Sequence, residues 1–277
     1  MELREWLNDA TRQLTEAGVS EARLKTEWLL EHHLQIPRLE LHLQPHLKIC
    51  TDRLTPDLAK LIKHEPLQYV LGTTDFFGKT FKSDARALIP RPETEELVEH
   101  ILSTPFAPQN VIDVGTGTGC IAISLALAKP DWSITALDIS EEALELAREN
   151  AAIMNANIQF MRSNLLSACS AQSADLIVSN PPYIAESDIA DLDQQIQAFE
   201  PRQALVGGRL GTELIAELIT QAANILRPQG RLMMEIGENQ GAKVQDFLHN
   251  AGFTDILIQR DHFGRTRFAS GTLTHGT

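Results

Sequence analysis

From Asn110 onward, short apolar runs of strand character alternate with longer stretches at helical spacing, which leaves few folds open to the chain. Val111-Ile112-Asp113-Val114 reads as a buried strand, Cys120 to Ala128 as a helix, and Ser133 to Ile139 as a strand that ends at Asp138. Ser140 is placed to cap the next helix, with Glu141 and Glu142 at its positive end and Ala143, Leu144, Ala147, Ala151 and Met154 on its buried stripe. Further strands are expected near 158–162, 174–179 and 231–236; a helix near 212–226 precedes the last of these and another near 240–251 follows it. Two final strands, Asp255 to Arg260 and Thr266 to Ser270, meet at a turn containing Gly264. Strands joined through helices pair in parallel. The expected class is therefore α/β, with a doubly wound, mostly parallel sheet and an antiparallel last hairpin.

The first 70 or so residues hold no convincing strand. Leu3, Trp6, Leu7, Ala10, Leu14 and Ala17 recur at helical spacing, and Gly18 is a stop. Ser20 is expected to cap a second helix carrying Leu24, Trp28, Leu29 and His32, and Thr51 to Lys63 suggests another. Phe76, Phe77, Phe81 and Leu88 then alternate around Gly78-Lys79, the pattern of a hairpin. Three segments are expected: a helical domain over 1–73, a β-hairpin linker over 74–89 and an α/β domain over 90–277.

The 277 residues carry a net charge of −13, which argues against strong nonspecific binding to nucleic acid, where phosphate neutralisation supplies most of the affinity. No apolar run is long enough to span a bilayer, so no membrane association is expected. Cys50, Cys120 and Cys169 are dispersed and odd in number, which fits neither a disulfide framework nor a zinc site and points to the reducing cytoplasm. His42 and His46 have the spacing of metal ligands, but Pro45 interrupts any helix there and no acidic partner is evident, so no metal site is expected.

Asp113-Val-Gly115-Thr116-Gly117-Thr118-Gly119 joins the first sheet strand to its helix. A dinucleotide fingerprint would put its third glycine where Cys120 stands; the spacing here is G-x-G-x-G. Asp113, in the strand just before the loop, would repel a pyrophosphate and suits the ammonium of an amino-acid-like ligand. Asp138, at the next strand end, is where doubly wound folds bind ribose hydroxyls. Asn164 is a candidate for the edge of a base, with Leu165 and Leu166 for its face. A nucleoside with a charged amino-acid tail is implied, and S-adenosylmethionine fits that description.

Asn180-Pro181-Pro182-Tyr183 ends the strand near 174–179. Two prolines fix φ and hold the nearby carbonyls rigidly. Asn180 adds a planar amide and Tyr183 a flat aromatic face. Together these residues make a cradle for a planar NH2 group, and all the strand-end residues named so far can share one site.

The chain resembles the class I S-adenosylmethionine-dependent methyltransferases and, more narrowly, the HemK/PrmC family of peptide chain release factor glutamine N5-methyltransferases. The resemblance runs from about Glu2 to Gly271 and rests on Glu65-Pro66-Leu67-Gln68-Tyr69, Leu88-Ile89-Pro90-Arg91-Pro92-Glu93-Thr94-Glu95, the glycine loop, Ser179 to Ile184, and Phe199-Glu200-Pro201-Arg202. It implies a seven-stranded methyltransferase sheet, S-adenosylmethionine as cofactor and a release factor as protein partner. Carried across, Gly115 to Gly119 hold the methionine part, Asp138 binds ribose, and Asn164 and Leu165 border adenine. Asn180, Pro181, Pro182 and Tyr183 bind the glutamine of a Gly-Gly-Gln loop. Asn180, Pro181 and Tyr183 are the expected catalytic set, and Asn180 also borders the cofactor. Asn164 stands where the family often has Asp. Arg91 and Glu93 read either as a surface ion pair or as a lid contact, with Arg91 a candidate substrate contact; Glu95 and Glu96 read as a solvated helix face. The nearest alternative substrate is an exocyclic amine of a nucleic acid, such as adenine N6, which would have to leave the base stack.

Overall fold

The computed structural model describes residues 1–274 and divides into two compact units. The first comprises Met1–Thr73 together with Asp193–Phe199. It contains α1 (Leu3–Glu16), α2 (Ala22–Leu34), α3 (Arg38–Leu41), α4 (Leu54–Ile62) and α5 (Leu67–Leu71), joined from far along the chain by α9 (Gln194–Phe199). Leu3, Trp6, Leu7, Ala10 and Leu14 of α1 bury one stripe against Leu29 and Leu30 of α2 and Leu54, Leu58 and Leu61 of α4.

Two expectations for α2 are corrected. Its N-cap is Glu21 in a left-handed conformation (φ 53°), which leaves Ser20 one residue outside the capping position. Its buried stripe runs through Ala22, Thr26, Leu29 and Leu30, so the helix is rotated away from Leu24, Trp28 and His32. Trp28 is exposed, and the Arg38 guanidinium lies 5.0 Å from its ring centroid, which screens one aromatic face.

The second unit begins at Thr74, within a hairpin of β1 (Thr73–Phe76) and β2 (Lys79–Lys82) that turns at Phe77-Gly78. Phe76 and Phe81 meet edge to face at 6.0 Å and are buried in one cluster with Leu97 and Val98 of α6 (Pro92–Ser103). The sheet elements follow: β3 (Asn110–Val114), α7 (Cys120–Ala128), β4 (Ser133–Asp138), α8 (Glu141–Met154), β5 (Gln159–Arg162), β6 (Ala174–Ser179), α10 (Glu213–Ile225), β7 (Leu226–Glu235), α11 (Gly241–Asn250), β8 (Phe253–Arg260) and β9 (Thr266–Leu273). Strand order is β5-β4-β3-β6-β7-β9-β8, with β9 antiparallel to both its neighbours and the rest parallel. β7 starts earlier than its hydrophobic pattern predicts: Leu226 pairs with Ala174, and the register then shifts before pairing resumes at Arg231.

Alternation along the strands feeds two cores. Ile112, Val114, Ile177, Leu232 and Met234 pack with Ile215 and Leu218 of α10 and Val244 and Leu248 of α11. Val111, Leu176, Val178 and Met233 pack with Leu97 of α6 and Ile121 of α7. Glu95 and Glu96, expected on a solvated face, are turned inward to tie down two turns. Glu95 accepts the Phe77 backbone N–H at 3.0 Å, and Glu96, 8% exposed, accepts that of His262 at 3.1 Å. No helix among the described residues is long and apolar enough to cross a membrane.

The chain leaves β3 outward to β4 and β5 and returns on the other side of β3 to β6, so the switch point of the sheet lies between β3 and β6. Ligands of open α/β sheets bind beyond the carboxyl ends of the strands at such a point.

Candidate active site

A cavity of about 340 Å³ opens at those strand ends, within the usual range for small-molecule sites. The loop after β3 forms its floor. Backbone N–H groups of Gly115 and Thr116 both donate to the Leu137 carbonyl, at 2.8 and 2.9 Å, and so fasten the loop to β4. Gly115 has φ 71°, and a Cβ built there meets no atom within 4 Å, so the missing side chain leaves free volume for a ligand to approach the backbone. Gly119 (φ 82°) is the N-cap of α7; a Cβ there would fall 3.0 Å from Ile123 Cδ1 and 3.1 Å from Ala147 Cβ. It is a packing glycine between α7 and α8 and does not line the cavity.

Asp113 is fully buried beneath the loop and also stays off the cavity wall. Its Oδ2 accepts from Thr116 Oγ1 (2.7 Å) and from the Ala122 N–H (3.2 Å), while Oδ1 has no hydrogen-bond partner among the described residues. Burial pushes its pKa up to about 7 against the pull of those two bonds.

Asp138 does line the cavity. Its two oxygens accept the Ser140 and Gly117 N–H groups, at 2.9 and 3.0 Å, which fixes the carboxylate while lone pairs remain for further donors. Burial raises its pKa against those backbone bonds. Ser140 Oγ accepts the Ala143 N–H at 3.2 Å, the cap expected from the sequence. Asn164 and Leu165 lie on the wall, whereas Leu166 belongs to the core. The half-exposed Ile139, immediately after Asp138, also faces the cavity and supplies an apolar surface that the sequence signals only by its position beside the strand-end acid.

The corner after β6 stands on the same cavity through Asn180 and Pro182. Its backbone is braced on several sides. Gln240 Nε2 donates to the Tyr183 carbonyl at 2.8 Å, and Ile184 exchanges hydrogen bonds with Leu205 and Gly207. Gly207 packs so closely that a Cβ would lie 2.5 Å from the Pro182 carbonyl oxygen. Asn180 Nδ2 donates to Thr94 Oγ1 (3.0 Å), Thr94 Oγ1 donates to Glu235 Oε2 (2.8 Å), and the Tyr183 hydroxyl donates to Glu235 Oε1 (3.1 Å). Burial, with the Glu235 charge adding to it, holds the Tyr183 phenol well above its ordinary pKa, so it stays a donor. Asn180 Oδ1 and the Pro181 carbonyl have no hydrogen-bond partner among the described residues. Pro181 and Tyr183 are not on the cavity wall itself.

Arg91 lines the cavity and bonds Glu200, whose other oxygen accepts the Ile89 N–H at 3.3 Å. The two segments that most narrow the resemblance thus meet at the site. The sequence does not single out Glu200, Thr94 or Glu235 as site residues. The first two lie in motifs that carry the resemblance; Glu235 ends a later strand, away from the first βα unit where a strand-end acid such as Asp138 signals ribose binding.

These residues fit an S-adenosylmethionine-sized group: a glycine floor with free volume above it, a fixed carboxylate for hydroxyls, an apolar wall and open amide acceptors. Residues 92–210 match the family model of the methyltransferase small domain, and residues 5–72 that of the PrmC N-terminal domain. The release factor glutamine methyltransferase of Enterococcus faecalis is 41% identical over 88% of this chain and 86% of its own length. That of Koribacter versatilis is 37% identical over 98% of both. Among solved structures, a ribosomal protein L11 methylase from Lactobacillus delbrueckii is 26% identical with a TM-score of 0.51, covering 68% of this chain and 82% of that one. A Pyrococcus furiosus methyltransferase shares the fold with a TM-score of 0.56 at 18% identity, covering 82% of this chain and 100% of that one.

Proposed function

The chain belongs to the family of release factor glutamine methyltransferases, and from that premise we propose that it methylates the side-chain amide nitrogen (N5) of the glutamine in the Gly-Gly-Gln motif of a peptide chain release factor, using S-adenosylmethionine. One observation carries this reading. Asn180 Oδ1 and the Pro181 carbonyl stand unengaged at the end of β6, and Asn180 shares a cavity with the glycine loop and Asp138.

S-adenosylmethionine, when bound, would supply a methyl carbon made electrophilic by its sulfonium, the S–CH3 bond breaking as the N–CH3 bond forms and the sulfur leaving as a neutral thioether. Gly115, Thr116, Gly117 and Thr118 cradle its methionine part, with Gly119 and Asp113 holding the loop in shape. Asp138 accepts from ribose hydroxyls, and Asn164, Leu165 and Ile139 border the adenine. A carboxamide nitrogen is a poor nucleophile because its lone pair is delocalised into the carbonyl. Asn180 Oδ1 and the Pro181 carbonyl each accept one of its N–H bonds and hold the nitrogen toward the methyl carbon. Both oxygens gain interaction energy as positive charge grows on that nitrogen, and the rigid corner spares them reorganisation. Tyr183, its hydroxyl committed to Glu235, has only its ring to offer the amide. Pro182 and Arg91 border the incoming peptide, and the proton leaves to water.

The helical segment 1–73 is assigned to holding the body of the release factor, and the reading implies a cytoplasmic enzyme. Mass spectrometry of a Gly-Gly-Gln release factor after incubation with enzyme and S-adenosylmethionine tests it. One added methyl on that glutamine is expected, with ribosomal RNA and DNA unmodified. An unmodified glutamine, or methyl on nucleic acid instead, overturns it.

A further inference from the structure

We propose that Thr94 and Glu235 are positioning residues that lock the Asn180 amide with its oxygen turned toward the substrate. The inference rests on the function proposed above and names what enforces the geometry that function requires.

An asparagine side chain presents an oxygen on one side and an NH2 group on the other, and rotation about its last torsion exchanges them. Only the oxygen can accept an N–H from a glutamine amide; the flipped form would set donor against donor. Something must therefore hold the amide one way round. Register supplies the means. Ser179 of β6 pairs with Met234 of β7, so Glu235 stands abreast of Asn180 at the strand ends. Thr94, from α6, fills the space between them and is 2% exposed.

The direction of each hydrogen bond is then forced. Burial pushes the Glu235 pKa up, against the pull of its two hydrogen bonds and of Arg267; in its ionised form the carboxylate only accepts. The single proton of the Thr94 hydroxyl is committed to Glu235 Oε2 at 2.8 Å, so the Thr94 oxygen can only accept from Asn180. At 3.0 Å that acceptor faces Nδ2, and Oδ1 is left pointing the other way. The second Glu235 oxygen takes the Tyr183 hydroxyl at 3.1 Å. One carboxylate thus orients both polar side chains of the Asn-Pro-Pro-Tyr corner. Glu235 is 1% exposed, and a buried charge is retained only where its bonds compensate it. Arg267 of β9, with Nη1 at 3.4 Å from the Tyr183 hydroxyl, adds positive charge on the far side. Glu93, on α6 with Thr94, is a like charge that raises the Glu235 pKa further.

Steady-state methyl transfer to a Gly-Gly-Gln release factor and calorimetric titration with S-adenosylmethionine test the relay. Thr94→Val removes the hydroxyl at nearly constant volume. Its kcat is expected to fall roughly ten- to hundredfold, somewhat less than loss of a preorganised group touching the reacting atoms, with cofactor Kd within about twofold. Thr94→Ser, which keeps the hydroxyl, restores most of the rate. Glu235→Gln, with one acceptor oxygen for two donors, also lowers kcat. Wild-type kcat in Thr94→Val, or equal loss in the Val and Ser variants, overturns the relay while leaving the function standing. Should Thr94→Val fail to fold, wild-type kcat in Glu235→Gln overturns it instead. A wild-type enzyme that transfers no methyl to glutamine overturns the function itself.

Discussion

Arg91 and Glu200 lie 109 residues apart in the chain and share a hydrogen bond in which a guanidinium, about a third exposed at the cavity edge, meets a carboxylate whose side chain is 1% exposed. The contact clasps the segment before α6 to the segment after α9. A buried carboxylate that loses its cation keeps its desolvation penalty without its compensation. Arg91→Ala is therefore expected to destabilise the protein by about 3 kcal/mol in urea unfolding. Glu200→Gln keeps an acceptor for the Ile89 N–H and removes the charge, so about 1 kcal/mol is expected. Equal losses in the two variants would contradict this account.

Two glycines of the loop differ in what a side chain would meet. Gly119→Ala places a methyl against Ile123 and Ala147 at a φ of 82°, and about 2 kcal/mol of stability should be lost through left-handed strain and overpacking. Gly115→Val meets no neighbour within 4 Å, so beyond the left-handed strain of a β-branched residue at a φ of 71° its steric burden falls on the ligand. S-adenosylmethionine should bind at least about tenfold more weakly to Gly115→Val, a loss read by calorimetry. Undiminished cofactor affinity in that variant would remove the loop from the binding site.

What was legible in the sequence follows from range. The helix Cys120–Ala128, the Ser140 cap and the strand ends at Val114, Asp138 and Ser179 rest on neighbours within a few residues, and local patterns report those directly. The corner Asn180 to Tyr183 was readable because it directly follows an apolar strand run and its two prolines mark a rigid turn there. The Thr94–Glu235 bond was not, since it joins residues 141 apart that only the sheet brings together. Glu96 was misread for a related reason: on α6 it falls among other acids, and its partner His262 lies on a hairpin 166 positions away. The face of α2 failed on competition between two apolar stripes, of which packing chose the one through Thr26.

Cys120 borders the cavity at the first position of α7, a place that often activates a thiol. Burial overrides that effect here and pushes its pKa up to about 12, so the thiolate is scarce near neutral pH. Iodoacetamide is expected to modify the exposed Cys50 and to leave Cys120 unmodified in the folded protein, as peptide mass mapping would report. Rapid loss of methyl transfer through alkylation at Cys120 would refute the assignment.

Asp113 should leave a signature in the pH dependence of stability. Its folded pKa, raised by burial from 3.8 to about 7, lies above its unfolded value. Between those two values the folded protein holds a proton that the unfolded chain has released. Stability from this group is thus greatest in acid and is lost as pH rises toward 7, where the carboxylate ionises inside the fold. Both of its hydrogen bonds fall on Oδ2, so Asp113→Asn can keep them on its single oxygen and set its NH2 where the unpartnered Oδ1 lies. The substitution therefore removes the titration with little change of shape. Unfolding free energies of the cofactor-free protein, variant minus wild type, should climb between about pH 4 and pH 7 by an amount on the order of 4 kcal/mol and then level off. Carboxylates remote from Asp113 titrate alike in both proteins and cancel in that difference, Asp138 being the acid whose charge bears on it; a flat difference would mean that Asp113 is ionised in the fold throughout.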